Sequence, residues 1–324
     1  RANFIKSLMK KMRCENMKIV YMGTPDFAVP PLRSLLNTEY EVAAVVTQPD
    51  KPKGRGKALM PTPVKEEALK HGIPVYQPEK VREPGFVEKL RELKPDLIVV
   101  AAFGQIIPES VLNMPKFGCI NIHASLLPKY RGAAPIQYAV IDGEKESGVT
   151  IMKMGKGLDT GDMIARTEVP LAKDETGGSL FEKLSSAGAR LLVETLPDIF
   201  AGTAVYEKQP EESPTPYAAM ITKKMGLIDF SKSAEELERL VRGLNPWPSA
   251  YTFLNGKNLK IWKAEADMTQ AEKNIPGTVV RADEEGICVA CGTGRLILKE
   301  VQLEGKKRMD SASFLRGCKV EPGT

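Results

Sequence analysis

The sequence predicts an α/β protein, with a Rossmann-like, doubly wound, mostly parallel sheet followed by a smaller OB-like β-barrel domain. In the first part of the chain, short apolar runs alternate with helical patterns, as in parallel sheets covered by helices. Further along, short strand-like runs separated by turn signals replace this alternation. With 324 residues, 42% of them hydrophobic, the chain is long enough for two such cores.

Residues 17–205 are predicted to form the first domain. Its strands are the apolar runs MKIVYMG, EVAAVVT, IPVYQ, PDLIVVAAFG, FGCINIHA and GVTIMKM. Its helices are the segments PPLRSLL, TPVKEEALKHG, REPGFVEKLRELK and SLFEKLSSAGARLLVETLPDIF. Gly72 is expected to end the second helix in a left-handed cap, with His71 in its last turn.

The remaining chain is predicted to contain a linker, residues 206–224, and a second domain, residues 225–324. The linker carries three prolines and shows no hydrophobic period. The second domain opens with a helix at 233–244, where Ser233 and Glu236 form a capping-box pattern. Its strands are the runs AYTFL, LKIWKAEA, GTVVRA, GICVACG and RLILKEVQL.

The overall charge does not indicate a nucleic-acid partner. Residues 1–16 precede Met17, carry five basic residues against one acidic residue, and are interpreted as a vector-derived or upstream segment. They account for +4 of the formal +5 of the chain, so any basic partner site must be a local cluster. No apolar run approaches the roughly 20 residues of a membrane span.

Cysteine usage favours a reducing, cytoplasmic compartment. The five cysteines are scattered and odd in number, unlike a disulfide framework. Cys288 and Cys291 form one C-x-x-C without a second pair or nearby histidines, so two packed strand residues are the preferred interpretation over a metal site.

A polar pair interrupts the apolar strand that contains GCINIHA. Asn121 and His123 stand two residues apart and so share one face of the strand, at its carboxyl end. Open α/β sheets bind their ligands at that end, and buried polar groups require hydrogen bonds. The pattern fits either a functional pair or a satisfied structural pair that closes a loop.

The glycine-rich stretch GKGLDTGDM supplies an acidic partner for His123. Either Asp159 or Asp162 could reach over the end of the sheet and orient the imidazole. Amide, imidazolium and carboxylate together could stabilise an oxyanion and move protons. No nucleophile elbow is present, and Cys119 lies at the start of its strand, away from the expected ligand end.

The stretch INIHASLLPKYRGAAPIQ followed by GLDTGDM resembles the 10-formyltetrahydrofolate-dependent formyltransferases, and among them the methionyl-tRNA formyltransferases. Further segments that carry the resemblance are MGTPDFAVP, TQPDKPKGRGKALMPTPVK, AAFGQIIP and NPWPSA. The resemblance runs from Met17 to near the end of the chain. It implies transfer of the formyl group of 10-formyltetrahydrofolate to the α-amine of methionyl-initiator tRNA.

The resemblance also implies roles for the polar residues. Asn121 and protonated His123 would stabilise a tetrahedral oxyanion, and Asp159 would hold His123 and take part in proton transfer. The reduced folate would be bordered by two groups of residues, namely Ser125, Leu126, Leu127 and Pro128, and Phe103, Gly104, Gln105, Ile106 and Ile107. No metal is expected.

Basic residues on three segments are the predicted tRNA contacts. They are Lys51, Lys53, Arg55 and Lys57 in a flexible loop, Lys223 and Lys224 in the linker, and Lys306, Lys307 and Arg308 in the second domain. A basic run is also typical of a solvated loop, and the resemblance is what favours binding, with Arg55 the preferred single residue.

Three alternatives stay open at this stage. A folate-dependent formyltransferase acting on a small amine, such as a sugar nucleotide or ribotide, shares the pattern of residues 95–163. A dinucleotide-dependent dehydrogenase is disfavoured because the first turn reads G-T-P-D-F rather than G-x-G-x-x-G. An RNA-binding protein without catalysis would not require the Asn, His and Asp set. The resemblance further implies a cytoplasmic monomer that does not associate with membranes.

Overall fold

The computed structural model of the chain describes residues 17–53, 58–269 and 274–324. Over these residues the chain folds into two compact units. The first unit contains the described residues up to 132 together with 147–169 and 181–217, and the second contains 133–146, 170–180 and the described residues from 218 onward. The predicted vector-derived or upstream segment, residues 1–16, lies outside the described residues.

The strands that precede the second domain in the described sequence are numbered β1 to β9. They are β1 (Lys18–Gly23), β2 (Glu41–Val46), β3 (Lys51–Lys53), β4 (Ala58–Met60), β5 (Val75–Tyr76), β6 (Leu97–Ala101), β7 (Cys119–His123), β8 (Glu146–Lys153) and β9 (Met163–Pro170). Seven of these form one sheet in the order β5-β2-β1-β6-β7-β8-β9. The pairs from β5 to β7 are parallel, and β7 pairs with β8 antiparallel.

This strand order predicts where in the sheet the functional region lies. The chain builds outward from β1 in one direction to β5 and then returns to add β6 and β7 on the other side. The order therefore reverses beside β1, and the loops after β6 and β7 leave the sheet at its carboxyl end. The predicted doubly wound, mostly parallel sheet is confirmed.

The helices in the same part of the described sequence are numbered α1 to α6. They are α1 (Val29–Leu36), α2 (Pro63–Lys70), α3 (Pro84–Glu92), α4 (Glu109–Leu112), α5 (Pro135–Ile141) and α6 (Gly177–Ala201). Helix α2 shows how the sequence sets its ends: the Thr62 hydroxyl accepts from the Lys65 N–H, and proline occupies the first turn. The helix ends at Lys70 with His71 as its C-cap residue, and Gly72 then adopts φ +68°, as its predicted left-handed cap requires.

A buried carboxylate joins α1 to α2. The side chain of Glu67 accepts from Arg33 Nε at 2.6 Å and Nη2 at 2.8 Å, and Lys70 Nζ lies 3.4 Å away. Hydrogen bonding to the Arg33 guanidinium lowers the pKa of Glu67 to about 2. His71 Nε2 lies 3.5 Å from Glu67, so this histidine belongs to the end of α2.

The second unit contains an antiparallel sheet with its own core. Its remaining elements are α7 (Ala234–Gly243), β10 (Ala250–Leu254), β11 (Lys257–Asp267), β12 (Val279–Asp283), β13 (Gly286–Ala290), β14 (Arg295–Leu303), β15 (Met309–Asp310) and α8 (Ser311–Gly317). The strand order is β10-β11-β14-β13-β12, and β15 pairs with β14. Apolar residues of α7, the sheet and α8 form the core, and Ser233 and Glu236 make the predicted capping box.

Helices α4, α5 and α8 and strand β15 were not predicted, and three further segments differ from the simple sequence pattern. The basic segment after β2 is not a loop throughout, because β3 and β4 pair as an antiparallel hairpin. Strand β9 was not predicted, since its half-exposed residues give no apolar run. Residues 209–215 of the predicted linker make hydrogen bonds within the first unit, whereas the domain limits proposed from sequence stay predictions.

None of the helices in the part of the chain that the structure describes has the length and apolarity needed to cross a membrane.

Candidate active site

His123 ends β7 and is almost fully buried, with 6% of its surface exposed. Its Nε2 atom lies 3.0 Å from the carbonyl oxygen of Tyr130, so Nε2 carries a hydrogen that it donates. Its Nδ1 atom faces Asp159 Oδ1 at 3.8 Å. The ring is therefore held between a backbone acceptor and a carboxylate.

Asn121 lies on the same face of β7, two residues before His123. Its backbone is fixed from both sides, by Val100 of β6 and Met152 of β8. The residue is half-buried, and its side-chain amide has no hydrogen-bond partner among the described residues. The amide is therefore open to a ligand at the carboxyl end of the sheet.

Asp159 is the acidic residue that the structure brings to His123. Its backbone has φ +52°, a left-handed conformation that few residues other than glycine adopt. Its Oδ2 atom accepts from the Gly132 N–H at 3.0 Å, and its side chain is only 12% exposed. Asp162, the alternative partner, instead continues the turn, where its carbonyl accepts from the Lys153 N–H.

The loop after His123 is tied to β8. The Thr150 hydroxyl donates to the carbonyl of Ser125 at 2.7 Å and accepts from the Leu127 N–H at 3.1 Å. Ser125 donates to the carbonyl of Lys129, and the Leu127-Pro128 peptide is cis. Of the predicted folate residues in this loop, Ser125 and Leu127 are buried, whereas Leu126 and Pro128 are partly exposed.

The loop after β6 holds the second predicted folate group. Phe103 and Ile107 are buried in the core beneath the loop. Gly104 is exposed with φ +82°, and Ile106 projects outward with 88% of its surface exposed. The Gln105 amide is already engaged, accepting from the Val81 N–H at 2.7 Å.

Three further residues support this region, and no pattern in the sequence indicated them. Gln209 Nε2 donates to the carbonyls of Asp159 at 3.0 Å and Gly161 at 2.7 Å. Arg131 Nε donates to Gln209 Oε1 at 3.1 Å. The Thr215 hydroxyl accepts from the Tyr130 N–H at 2.7 Å. Gln209 and Thr215 lie far along the chain from the predicted residues and are near them only in space.

The cysteines show no sign of catalysis. Burial raises the pKa of Cys119 to about 12, and its thiol contacts the carbonyls of Val111 and Leu112 at the opposite end of β7. Burial also raises the pKa of Cys291 to about 11, and both Cys288 and Cys291 are buried. Within residues 17–53, 58–269 and 274–324, no cluster of three His, Cys, Asp or Glu side chains could hold a metal ion.

The predicted tRNA contacts occupy several surfaces. Lys51 is exposed on β3, the side chain of Lys53 is not described, and Arg55 and Lys57 lie outside the described residues. Lys223, Lys224, Lys306 and Lys307 are exposed. Arg308 is also exposed, but its guanidinium is paired with Glu300 at 2.5 and 2.8 Å and lies 4.6 Å from the centre of the Trp262 ring.

Solved structures share this fold at low sequence identity. An N-formyltransferase from Helicobacter canadensis, in complex with folinic acid and dTDP-3-aminofucose, has a TM-score of 0.65 and 22% identity over 87% of this chain and 99% of that one. HypX from Aquifex aeolicus in complex with tetrahydrofolic acid has a TM-score of 0.61 and 19% identity over 95% of this chain and 50% of that one.

Sequence comparisons identify the family. The family models described as formyl transferase and as formyl transferase, C-terminal domain, match residues 17–196 and 220–319. Methionyl-tRNA formyltransferases from Lachnospira eligens and Bacillus subtilis are each 57% identical to the chain, over 95% and 94% of its length and 98% and 96% of theirs. The predicted resemblance and the predicted enzyme class are thus confirmed, and the chain belongs to the methionyl-tRNA formyltransferase family.

Proposed function

We propose that this chain transfers the formyl group of 10-formyltetrahydrofolate to the α-amine of methionyl-initiator tRNA, for translation initiation, at a site built on Asn121, His123 and Asp159. Relatives of 57% identity over almost the whole chain support the substrates. The observation that carries the site is the approach of Asp159 to His123 beside the open amide of Asn121, at the carboxyl end of β7.

The ring of His123 has one nitrogen left for the reaction. Because Nε2 donates to Tyr130, Nδ1 is the atom that faces the site. The 3.8 Å between Nδ1 and Asp159 Oδ1 is longer than a hydrogen bond, and catalytic hydrogen bonds often tighten only when substrate binds. A substrate group or a water between these atoms would contact both.

We assign Asn121, His123 and Asp159 separate roles in formyl transfer. The folate supplies an activated formyl group, and the aminoacyl end of the tRNA supplies the attacking amine. The Asn121 amide and the Nδ1–H of protonated His123 would stabilise negative charge on the formyl oxygen. The Asp159 carboxylate would stabilise the charged ring and accept a proton from the attacking amine, directly or through water. Collapse of the tetrahedral intermediate would break the bond between the formyl carbon and N10, and a proton would return to N10 as tetrahydrofolate leaves. No covalent enzyme intermediate is required.

The loop after β6 fits a reduced folate. Gly104 is exposed and has no side chain of its own, and the group next to the position of a Cβ is Gln48 Nε2, at 3.4 Å, so a flat ring could approach the exposed side of its backbone. Ile106 offers an apolar surface, and Thr24 and Gln48 fix the loop by donating to the carbonyl of Phe103 at 2.9 and 3.2 Å. We therefore assign folate contacts to residues 103–107 and 125–128.

The tRNA is assigned to the basic residues predicted from the sequence. Lys51 and Arg55, with Lys53 and Lys57, would reach the aminoacyl end, and Lys223, Lys224, Lys306 and Lys307 would follow the phosphate backbone. Arg308 is assigned a smaller part, since its charge is already paired with Glu300. We place the reaction in the cytoplasm and expect a monomer, which light scattering coupled to size-exclusion chromatography tests.

Formyl transfer by the wild type, His123→Ala and Arg55→Ala tests the proposal. With 10-formyltetrahydrofolate and methionyl-initiator tRNA, His123→Ala is expected to lower kcat by about 10²–10³, because an oxyanion donor is lost. Arg55→Ala is expected to raise the KM for the tRNA and leave kcat near the wild-type value.

A parallel assay with an amino-sugar nucleotide tests the alternative acceptor. Wild-type transfer to this amine, with none to the tRNA, would overturn the assignment of the acceptor. Undiminished transfer by His123→Ala would overturn the assignment of the site.

A further inference from the structure

We propose that residues 209–215 form a strap that positions both polar neighbours of the His123 ring, Asp159 and the carbonyl of Tyr130, with Gln209 and Thr215 as its positioning residues. One end of the strap holds Asp159, which faces Nδ1, and the other holds Tyr130, which accepts from Nε2. The inference rests on the catalytic roles proposed for His123 and Asp159.

The Asp159 end of the strap acts through the backbone. Gln209 is 5% exposed, and its amide group donates to the carbonyls of Asp159 at 3.0 Å and Gly161 at 2.7 Å. A left-handed conformation at an aspartate is disfavoured and persists when the surroundings hold it. These two bonds bracket the turn and hold the carboxylate where it faces the ring.

Arg131 fixes the orientation of the Gln209 amide. Its Nε atom donates to Gln209 Oε1 at 3.1 Å, so the nitrogen of the amide must point toward the Asp159 turn. The two remaining nitrogens of the guanidinium donate to the carbonyls of Pro210 at 2.7 Å and Glu211 at 3.0 Å. One buried arginine thus fixes three consecutive residues of the strap.

The Tyr130 end of the strap acts in the same manner. The Thr215 hydroxyl accepts from the Tyr130 N–H at 2.7 Å, and Ser213 Oγ donates to the carbonyl of Pro128 at 2.8 Å. Tyr130 also has a left-handed backbone, with φ +56°. Its carbonyl is the acceptor for His123 Nε2, so Thr215 determines where that acceptor lies.

The two ends together constrain the rotation of the imidazole. Among the described residues the strap makes no hydrogen bond to the ring itself; it reaches the ring through Asp159 and Tyr130, and Ser213 also holds the carbonyl of Pro128 in the proposed folate loop. Loss of one end should therefore misplace a partner of His123 without removing a chemical group. Small misplacements of this kind lower the rate of the chemical step more than substrate binding.

Paired variants at the two ends test the strap. Thr215→Val removes the acceptor at nearly constant volume, whereas Thr215→Ser retains it; Gln209→Leu removes both donors. We expect Thr215→Val and Gln209→Leu each to lower kcat by about 10- to 100-fold, with KM values for folate and tRNA close to wild type. Thr215→Ser should restore most of the rate. Thr203→Val, at an exposed threonine of the same unit, is the control.

A double variant separates positioning from a general loss of structure. In an Asp159→Asn background, Gln209→Leu should lower the single-turnover rate little further, since it acts through Asp159. Full additivity of the two changes would overturn the inference. So would wild-type kcat in folded Thr215→Val and Gln209→Leu; if Gln209→Leu does not fold, the comparison of Thr215→Val with Thr215→Ser decides. An active His123→Ala would instead overturn the proposed function.

Discussion

The region around His123 and the basic surface at Lys306 and Lys307 differ in the burial of their charged side chains. His123 and Asp159 are nearly buried, and backbone groups hold both. Lys306 and Lys307 are exposed on the turn before β15. Chemistry on one carbonyl requires each atom in a fixed position, whereas attraction of phosphates requires only charge near a surface. Substitutions should therefore affect rate in the first region and affinity in the second.

Asp159→Asn should have the largest effect and tests the first half of this contrast. Asparagine tolerates a left-handed backbone and keeps an oxygen for the Gly132 N–H, so the turn should survive. The negative charge and the proton acceptor are lost. We expect kcat to fall by about 10²–10⁴ while the thermal unfolding temperature stays near that of the wild type.

Asp162→Asn is the matched control, three residues along the same turn. Its carbonyl, not its carboxylate, makes the bond that the structure shows to Lys153. Near wild-type kcat is expected for this variant. An equal loss of activity in both variants would mean that kcat depends on the total negative charge of the turn rather than on the approach of one carboxylate to His123.

Much of the fold could be predicted because apolar periodicity reports burial. The runs at β1, β2, β6 and β7 are almost continuous, as strands covered on both faces must be. Among the missed strands, β9 alternates between partly and fully exposed residues and carries no such signal. The β3–β4 hairpin was missed because both strands have only three residues and β3, with the sequence KPK, looks like a loop.

Residues of the candidate site could be predicted only where they interrupt a regular pattern in the sequence. Asn121 and His123 interrupt an apolar strand, and Asp159 stands among glycines, so each was visible in the sequence. Gln209 and Thr215 lie in a polar, proline-rich segment where such residues are ordinary. Their partners lie 50 and 85 residues away along the chain, a distance that local pattern cannot bridge.

Glu67→Gln offers a second test of the contrast, because Glu67 is a buried charge away from the proposed site. The residue is 4% exposed, and its carboxylate accepts two hydrogen bonds from Arg33. We expect the free energy of unfolding at pH 7 to fall by about 1.5–3 kcal/mol, measured by urea denaturation, with kcat unchanged. Glu66→Gln, an exposed neighbour on α2, should leave stability almost unchanged.

The stabilisation that Glu67 contributes to the fold should decrease as the pH falls. Folding lowers the pKa of Glu67 from 4.5 to about 2, so the stabilisation is complete above pH 4.5 and is lost as the pH falls toward 2. The stability difference between wild type and Glu67→Gln should therefore vanish over that interval. A difference that stays constant down to pH 2 would show that the carboxylate charge is not its source.

Lys307→Ala and Arg308→Met should have the smallest effects and test the second half of the contrast. Both residues are exposed and adjacent, yet Arg308 is held by two hydrogen bonds to Glu300 and lies over Trp262. The pair raises the pKa of Arg308 and lowers that of Glu300, so both stay charged and largely neutralise each other. Lys307 lacks such a pair among the described residues.

The salt dependence of the KM for the tRNA distinguishes the two residues. Loss of Lys307 should weaken tRNA use and lower the slope of log KM against log salt by about 1, because one phosphate contact is lost. Loss of Arg308 should change that slope less and lower stability by at most about 1 kcal/mol, as is usual for an exposed pair. A larger change of slope for Arg308→Met than for Lys307→Ala would mean that bidentate geometry, not free charge, selects the phosphate contacts on this surface. The contrast drawn from the His123 region would then fail, since position would matter at the surface as well.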